Sequence, residues 1–415
     1  MAEKTRYDVA IVGGGMAGAS LALLLAHHLP ALRILLLEQY PLQVNEDLPF
    51  GQPSFDDRTS ALSLGTAGIF EQIGLWKTLN EFVVPIHQVH VSDRGHPAGT
   101  LLDAIDHQQD SLGFVIENRC LGYVLLKALS EEKAVTCMSP ARVSSLAMKT
   151  GFVTLSVDGD GEACELEASL VVIADGAESA LRHQLGIDVS NREYHQHALV
   201  ANVSTEYFHQ YMAFERFTDE GPLALLPMND SEDLHRCALI WTNPVEQAEA
   251  LMSLDDQAFL QKLQERFGQR LGRFLKVGKR SSYPLALVLA LEQVRSNIVL
   301  LGNAAHSLHP VAGQSYNLAM RDAAVLVDTL MQGLQKGMSP GDLPLLQAYL
   351  ERQQWDQHKT IGASHLLTQL FSTSSLPASF LRNIGLLGLD LLPGIKTVFA
   401  RHAMGVAGQK RGKIL

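Results

Sequence analysis

The chain has few cysteines, an excess of acidic residues and no long apolar run. Its 415 residues include four cysteines, and none shows the CxxC spacing of a metal or redox site, so we expect no metal site and a reducing, cytoplasmic location. The 33 Lys and Arg against 44 Asp and Glu argue against a general nucleic-acid binder. No stretch reaches the roughly 18 uncharged apolar residues of a membrane span. Because the first strand is predicted within about six residues of the start, we expect no signal peptide before it.

A glycine-rich dinucleotide fingerprint stands near the N-terminus. The apolar run at residues 7–12 predicts a strand, and the Ala- and Leu-rich residues 17–28 predict a helix. Three glycines fill the GxGxxG positions: Gly13 and Gly15 lie between the strand and the helix, and Gly18 lies in the first turn of the helix. In this pattern the first glycine allows a tight turn, the second lets a pyrophosphate approach, and the third lets helix and strand pack closely.

An acidic residue completes this first half of the predicted site. The second apolar run, residues 34–37, ends on Glu38, which follows Gly18 by 20 residues. An acid at that spacing accepts hydrogen bonds from a ribose 2′-hydroxyl. The alternative is a glycine-rich turn in an unrelated α/β protein. The order of strand, helix, second strand and acid favours a dinucleotide site instead. In such a site Met16 and Ala17 stand at the helix N-terminus, which faces the phosphates.

A second motif far along the chain indicates a ligand longer than NAD. Residues 302–306 read Gly-Asn-Ala-Ala-His, Pro310 follows, and residues 313–317 read Gly-Gln-Ser-Tyr-Asn. An NAD-binding fold holds its cofactor with the first βαβ unit. A late strand-turn-helix that returns to the same ligand therefore favours FAD.

These motifs resemble those of the flavin-dependent aromatic hydroxylases. Three further segments carry the resemblance: Asp-Asp-Arg ending at Arg58, Glu-Asn-Arg ending at Arg119, and Asp175-Gly176 followed by Ser179 and Arg182. The resemblance implies an α/β fold, with a Rossmann-like FAD-binding domain, an inserted β-sheet substrate domain and a C-terminal helical region. The cofactor-binding positions that it implies are Gly13, Gly15, Met16, Ala17, Gly18, Glu38, Arg58, Arg119, Asp175, Gly176, Gly302, Asn303, Pro310, Gly313, Gln314, Ser315 and Asn317.

Segments between the motifs narrow the resemblance to the ubiquinone-biosynthesis hydroxylases. They include residues 90–96, 214–218, 221–228, 278–280 and 283–285. The resemblance implies that NAD(P)H reduces bound FAD, that O2 adds at flavin C4a, and that the hydroperoxide hydroxylates the ring of a 2-polyprenyl-6-methoxyphenol to give the hydroquinone. The chain shows only one complete dinucleotide fingerprint, so we expect FAD to stay bound while NADPH or NADH visits.

The middle of the chain changes to strand-like apolar runs, which predict the inserted substrate domain. The predicted pocket residues are Phe214, Phe217, Leu225, Pro227 and Trp241, with ordinary sheet core as the alternative for each. The predicted divisions are 1–80, 116–190 and 286–350 for the FAD-binding domain, 81–115 and 191–285 for the substrate domain, and 351–415 for the C-terminal helical region. No catalytic residue stands out. His306 and His309 are candidates for proton transfer, with capping or packing roles as the alternative.

Two positions depart from the family pattern. Asn303 stands where most relatives carry Asp, and Ser315 stands where the second glycine of GQG is usual. The uncharged amide makes a weaker hydrogen bond than a carboxylate, and the Cβ of Ser315 either crowds the flavin or strains a turn of positive φ. We therefore expect loosely held FAD. A non-catalytic scaffold subunit with a degraded FAD site remains an alternative.

The C-terminal segment suggests contact with a membrane. Beyond Pro393, apolar residues recur at helical spacing among five basic residues, without an acid. Such a segment fits the surface of an anionic membrane, where a polyprenyl substrate is found, and a helix packed back on the domain is the alternative. We expect a peripheral location on the inner face of a bacterial inner membrane, with other ubiquinone-pathway proteins as partners. A hydroxylase for another ring position or a soluble phenol stays open, whereas the three isolated tryptophans lack the WxWxIP pattern of a halogenase.

Overall fold

The computed structural model describes residues 6–42, 54–56, 58–93, 99–159, 163–218, 220–231, 234–308 and 314–372, with side chains to residue 362. The strands, in chain order, are β1 (Arg6–Val12), β2 (Ile34–Leu37), β3 (Thr59–Ser63), β4 (Val84–Ile86), β5 (Gln88–Asp93), β6 (Gly99–Asp103), β7 (Gly113–Glu117), β8 (Val135–Met138), β9 (Ala141–Lys149), β10 (Phe152–Gly159), β11 (Cys164–Ile173), β12 (Val189–Thr205), β13 (Met212–Phe217), β14 (Leu223–Ser231), β15 (Leu234–Pro244), β16 (Phe274–Val277), β17 (Ser281–Ala290), β18 (Val294–Arg295), β19 (Ile298–Leu300) and β20 (His306–Ser307).

Helices connect and cover these strands. The α-helices are α1 (Met16–His28), α2 (Leu64–Gln72), α3 (Trp76–Leu79), α4 (Asn118–Glu131), α5 (Ala180–Gln184), α6 (Val245–Ser253), α7 (Asp256–Phe267), α8 (Gln314–Gln335) and α9 (Leu343–Ser372), with 3₁₀ turns at Ile105–His107 and Gly302–Ala304. Of the helices described, none is long and apolar enough to cross a membrane.

The first sheet places the N-terminal motif at the ends of parallel strands. Its order is β18-β19-β11-β1-β2-β8, and β1 pairs in parallel with both β11 and β2. The continuous apolar sequence of β2 is typical of a parallel strand covered on both faces. Helices α1, α4 and α8 cover one face and share its core. The glycine loop after β1 and Glu38 after β2 consequently lie at the same carboxyl edge, where ligands bind in such sheets.

The second sheet provides a separate apolar face. Its order is β20-β17-β12-β15-β14-β13-β5-β6, with β16 beside β12. Helices α6 and α7 cover one face, where Trp241 packs against Phe259 and Phe214 packs against Phe267. The other face turns away from these helices. Strands β10 and β9 extend the first sheet from β11, and a small third sheet has the order β3-β7-β4.

The expected fold class is confirmed: a Rossmann-like sheet is combined with an inserted β-sheet domain and helices toward the C-terminus. The expected strand at residues 34–37 and the helix at 17–28 agree with β2 and α1 to within a residue. The chain leaves the first sheet after β2, returns to it at β8, and leaves again for the long strand β12. The exact domain divisions stay a prediction, and most of the predicted C-terminal region, including the basic segment, lies outside the described residues.

Candidate functional site

One large cavity, of about 1230 Å³, is lined by both main sheets. The loops at the carboxyl edge of the first sheet and the start of α8 supply one part of its wall. The face of the second sheet opposite α6 and α7 supplies much of the rest. Ligand pockets commonly measure about 300–1,000 Å³, so the cavity has room for a dinucleotide together with a second ligand.

The glycine loop forms the tightest part of the wall. Gly13 has φ +108°, and a Cβ there would overlap the carbonyl of Ala174. A Cβ on Gly18 would overlap the carbonyl oxygen of Gly13. Gly13, Gly15, Met16 and Ala17 line the cavity, whereas Gly18 lies beneath the loop and holds α1 close to β1. This division agrees with the separate tasks of the three glycines in a dinucleotide loop.

Glu38 is buried and lines the cavity beside this loop. One carboxylate oxygen, Oε2, accepts a hydrogen bond from the backbone N–H of Gly14 at 2.6 Å, and Oε1 accepts one from Tyr40 at 2.9 Å. Each carboxylate oxygen has a second acceptor site. Glu38 therefore fixes the glycine loop and keeps acceptor capacity for a ribose hydroxyl.

Asp175 and Gly176 reach the cavity from the end of β11. Burial raises the pKa of the Asp175 carboxyl, and its Oδ1 is buried without a hydrogen-bond partner within the described part of the chain. A buried acceptor without a donor is costly. A hydroxyl or amide of a bound ligand would supply that donor.

The second motif borders the cavity through both of its halves. Gly302 and Asn303 line it from the 3₁₀ turn, and Gln314, Ser315 and Asn317 line it from the start of α8. The side chain of Asn317 is already engaged with the N-terminal region. Its Oδ1 accepts from Ser63 N–H at 2.8 Å, and its Nδ2 donates to Ala61 at 2.7 Å. Asn317 thus joins α8 to β3, and its side chain positions the wall.

Ser315 lies in the first turn of α8, in helical backbone. The expectation that its turn is strained by a positive φ is therefore wrong. Its Cβ still lines the cavity, so crowding of the cofactor stays a prediction. Pro310, Gly313 and His309 lie outside the described residues.

The two predicted arginines occupy different places. Arg58 lines the cavity, pairs with Asp56 at 2.5 Å and stacks over the ring of Tyr283, with its guanidinium carbon 4.8 Å from the ring centroid. Arg119 is not among the cavity-lining residues; it pairs with Glu117 at 2.7 Å. Its backbone N–H donates to the carbonyl of Asp56. Arg119 consequently supports the segment that carries Arg58.

The predicted substrate residues divide between the two faces of the second sheet. Phe214 and Phe217 contribute to the cavity wall, although the Phe214 ring packs toward α7. Leu225, Pro227 and Trp241 do not line the cavity. Leu225 and Trp241 belong to the core under α6 and α7, and Pro227 is two residues along the same strand from Leu225. Because side chains alternate along a strand, these three point away from the cavity, which corrects the expectation placed on them.

His306 is buried away from the cavity wall. Its Nε2 lies 2.5 Å from Oδ2 of Asp322, which also accepts a hydrogen bond from Gln357 at 3.1 Å. Since His306 does not line the cavity, this arrangement favours the packing role over proton transfer to a ligand there.

Two titratable cavity residues of the second sheet were not among the predicted site residues. Glu215 lies on β13 and Tyr283 on β17, and both line the cavity. The sequence feature that could have indicated Glu215 is an acid within the strand sequence Ala-Phe-Glu-Arg-Phe. Strand alternation places it on the same face as Ala213 and Phe217. Only the packing of α7 against the opposite face of β13 shows that the face of Glu215 borders the cavity.

The chemistry of the wall fits FAD. The N-terminus of α1 has no side-chain cap at Gly15, so its N–H groups can face a pyrophosphate. Glu38 and Asp175 offer acceptors to ribose and ribityl hydroxyls, and Oδ1 of Asp175 is buried without a donor among the residues described. The residues of the first sheet and of α8 would therefore hold the dinucleotide, leaving the apolar sheet face for another ligand.

Comparison with known proteins agrees with this assignment. A family model described as an FAD binding domain matches residues 6–354. The ubiquinone hydroxylase UbiL of Rhodospirillum rubrum is 34% identical over 398 residues, covering 96% of this chain and 89% of the relative. The 3-demethoxyubiquinol 3-hydroxylase of Escherichia coli is 29% identical over 400 residues, covering 96% and 98%. The crystal structure of p-nitrophenol 4-monooxygenase PnpA from Pseudomonas putida matches with TM-score 0.79 at 18% identity, covering 98% of this chain and 100% of that one.

Proposed function

The chain belongs to the family of flavoproteins that share this FAD-binding domain, and from that premise we propose that this FAD-dependent monooxygenase hydroxylates the aromatic ring of a 2-polyprenyl-6-methoxyphenol. The product is the corresponding hydroquinone, an intermediate of ubiquinone biosynthesis. The proposed activity is that of a 2-octaprenyl-6-methoxyphenol hydroxylase. The named relatives support the pathway, and the ring position rests on the sequence resemblance.

FAD, predicted from the two motifs, is confirmed as the cofactor. When bound, FAD supplies electron transfer from NAD(P)H and activation of O2, chemistry that no side chain provides. The enzyme class, an FAD-dependent monooxygenase, is likewise confirmed.

The observation that carries the proposal is the composition of this large cavity. Most of the residues predicted to bind FAD line its first part, and its second part is the largely apolar face of the second sheet. That face presents Val91, Val200, Leu226 and Ile240. A prenylated aromatic ring would bury apolar surface there, at roughly 25 cal/mol per Å², next to the cofactor.

The protein's own residues bind, orient and exclude water. Glu38 fixes the glycine loop, and Arg58, held by Asp56 and the Tyr283 ring, presents a fixed positive charge to the cavity. The apolar sheet face keeps water away from the ring to be hydroxylated, which protects reactive intermediates from side reactions.

Substrate-dependent turnover tests the proposal. FAD-reconstituted protein should oxidise NADPH faster when 2-geranyl-6-methoxyphenol is added, and the product should gain about 16 Da, one oxygen atom. NADPH oxidation that is not stimulated and forms only peroxide would contradict the proposed substrate. Comparison with p-nitrophenol and with 3-demethoxyubiquinol analogues separates the open alternatives, a soluble phenol and another ring position.

Contact with a membrane forms part of the proposal. The basic, apolar-striped segment beyond Pro393 would bind anionic lipid headgroups and bring the cavity to a lipid-dissolved substrate. The enzyme would then act as a peripheral protein on the cytoplasmic face, in contact with other proteins of the pathway.

A further inference from the structure

Glu215 is the only carboxyl group that the second sheet contributes to the wall of the described cavity. It lies in the middle of β13 with Ala213 and Phe217 at neighbouring positions of the same face. The remaining lining residues of this sheet are apolar or carry only a hydroxyl group, as Tyr283 does. An acid at the centre of an apolar face requires a reason, because burying a charge without a partner is costly.

Small neighbours leave Glu215 projecting from this face. The strand register places Val91 of β5 on one side and Ala224 of β14 on the other. The same row continues to Thr100 beyond Val91 and to Ile240 beyond Ala224. Glu215 is the longest side chain of this row. It makes no side-chain hydrogen bond or ion pair with any residue that the structure describes.

The charged groups near β13 do not neutralise Glu215. On its own strand Arg216 points to the opposite face and donates to the carbonyl of Phe267. On β5, His90 also lies toward that face, beside Phe214 and Arg270. Asp93 lies opposite Phe217 in the strand register, two residues along β5 from Val91. It is not among the residues that line the cavity.

The remaining packed elements add no charge beside Glu215. The facing residues of β14 are Ala224 and Leu226, β4 contributes Ile86, and β6 contributes Thr100. Arg58 reaches the same cavity from the position before β3, and Tyr283 reaches it from β17. Burial of the Glu215 carboxyl is therefore the main influence on its pKa, and it raises that pKa to about 7.

We propose that the Glu215 carboxylate binds the phenol hydroxyl of the substrate and accepts its proton as oxygen is transferred to the ring. This role rests on the proposed function. The hydroxyl would supply the donor that Glu215 lacks in the protein, and the hydrogen bond would fix which ring carbon is presented to the cofactor. A base is most effective when its pKa lies near the working pH, as the raised pKa of Glu215 does.

The proton and bond changes balance within this scheme. A C–O bond forms at the ring carbon opposite the hydroxyl as the O–O bond of O2, reduced with two electrons from NAD(P)H, breaks. One oxygen atom goes to the ring and the other leaves as water. At the same time the phenol O–H breaks and an O–H forms on Glu215, which gives a dienone. Glu215 then returns its proton to the carbonyl oxygen while the attacked carbon loses its hydrogen to solvent, and the ring becomes aromatic again as the hydroquinone.

The first test measures binding by the oxidised holoenzyme, without turnover. The change in flavin absorption on binding compares 2-geranyl-6-methoxyphenol with its methyl ether, which has no proton to donate. Wild type should bind the phenol about tenfold more tightly than the ether at pH 8, since a hydrogen bond to a charged acceptor exceeds a neutral one by about 1 kcal/mol or more. This preference should decline below about pH 7, where Glu215 becomes protonated.

Glu215→Gln keeps the size of the side chain and removes its charge and basicity. The variant should lose the preference for the phenol, and its single-turnover hydroxylation should be about 100-fold slower or more. Wild-type hydroxylation should rise with pH and level off above about 7, and the variant should lack this dependence. Glu193→Gln, an exposed carboxylate of the same sheet outside the cavity, is the control and should retain the wild-type profile.

Distinct results separate this role from the proposed function. If wild type binds phenol and ether equally, or if Glu215→Gln hydroxylates within twofold of wild type with the same pH profile, the role of Glu215 is overturned alone. If neither ligand binds to wild type, the proposed substrate fails and the role fails with it. An unchanged FAD dissociation constant in Glu215→Gln shows that the variant is folded.

Discussion

The guanidinium of Arg182 donates a hydrogen bond of 3.0 Å to the carbonyl of Ala304, although 122 positions separate the two residues. A second bond of 2.9 Å runs to the carbonyl of Ala177. Arg182 is buried. It therefore ties the Asp175-Gly176 segment to the 3₁₀ turn of Gly302 and Asn303, so that two distant motifs border one cavity.

Replacing Arg182 by Met should loosen this junction. Two carbonyls would lose their charged donor, and we expect a loss of about 3 kcal/mol in stability together with weaker FAD binding. Thermal unfolding of the FAD-free protein and a fluorescence titration with FAD measure the two effects. Arg33→Met, at an exposed ion pair with Asp8, is the control and should change stability by less than about 0.5 kcal/mol. Equal effects of the two substitutions would contradict the account.

Gly18→Ala should prevent the glycine loop from closing. The new Cβ would overlap the carbonyl oxygen of Gly13, so α1 would have to move away from β1. We expect a chain that is destabilised and does not retain FAD after gel filtration. Gly362→Ala is the matched control, because Gly362 is exposed on α9 with open space around it, and it should be neutral or stabilising by up to about 1 kcal/mol. Wild-type flavin content in Gly18→Ala would show that the close contact is not needed.

Ser315→Gly should tighten FAD binding. The substitution removes a Cβ from the cavity wall at the start of α8. Glycine costs up to about 1 kcal/mol in a helix, so unfolding of the FAD-free protein is measured separately from the FAD dissociation constant. Equal dissociation constants for the two proteins would refute the idea that Ser315 crowds the cofactor.

Deletion of the residues after Pro393 should abolish binding to anionic liposomes and leave FAD binding intact. The deleted segment carries the basic residues that would attract such lipids. Cosedimentation with liposomes of phosphatidylglycerol and phosphatidylcholine measures the effect, and pure phosphatidylcholine is the control. Sedimentation that is unchanged by the deletion would exclude this segment as the membrane contact.

Local sequence predicted the cofactor half of the site because its chemistry is local. A glycine must stand at position 13 for its backbone φ, and an acid must follow β2 to reach the loop. These requirements leave fixed spacings in the chain. The same holds for β2 and α1, whose apolar patterns matched the structure closely.

The substrate half was less predictable because it depends on which face of a strand is covered. Trp241 and Leu225 are large and apolar, as pocket residues often are, yet α6 and α7 cover their face of the sheet. Glu215 occupies the opposite phase and reaches the cavity. Alternation along a strand separates the two faces, but only the packing of the helices decides which of them borders the cofactor.

Isotope labelling tests the central claim most directly. FAD-reconstituted enzyme would be given NADPH and 2-geranyl-6-methoxyphenol under ¹⁸O2, and the product would be analysed by mass spectrometry. The account predicts a hydroquinone that carries one labelled oxygen atom on the ring. A labelled peroxide with unchanged phenol, or a product whose new oxygen comes from water, would contradict it.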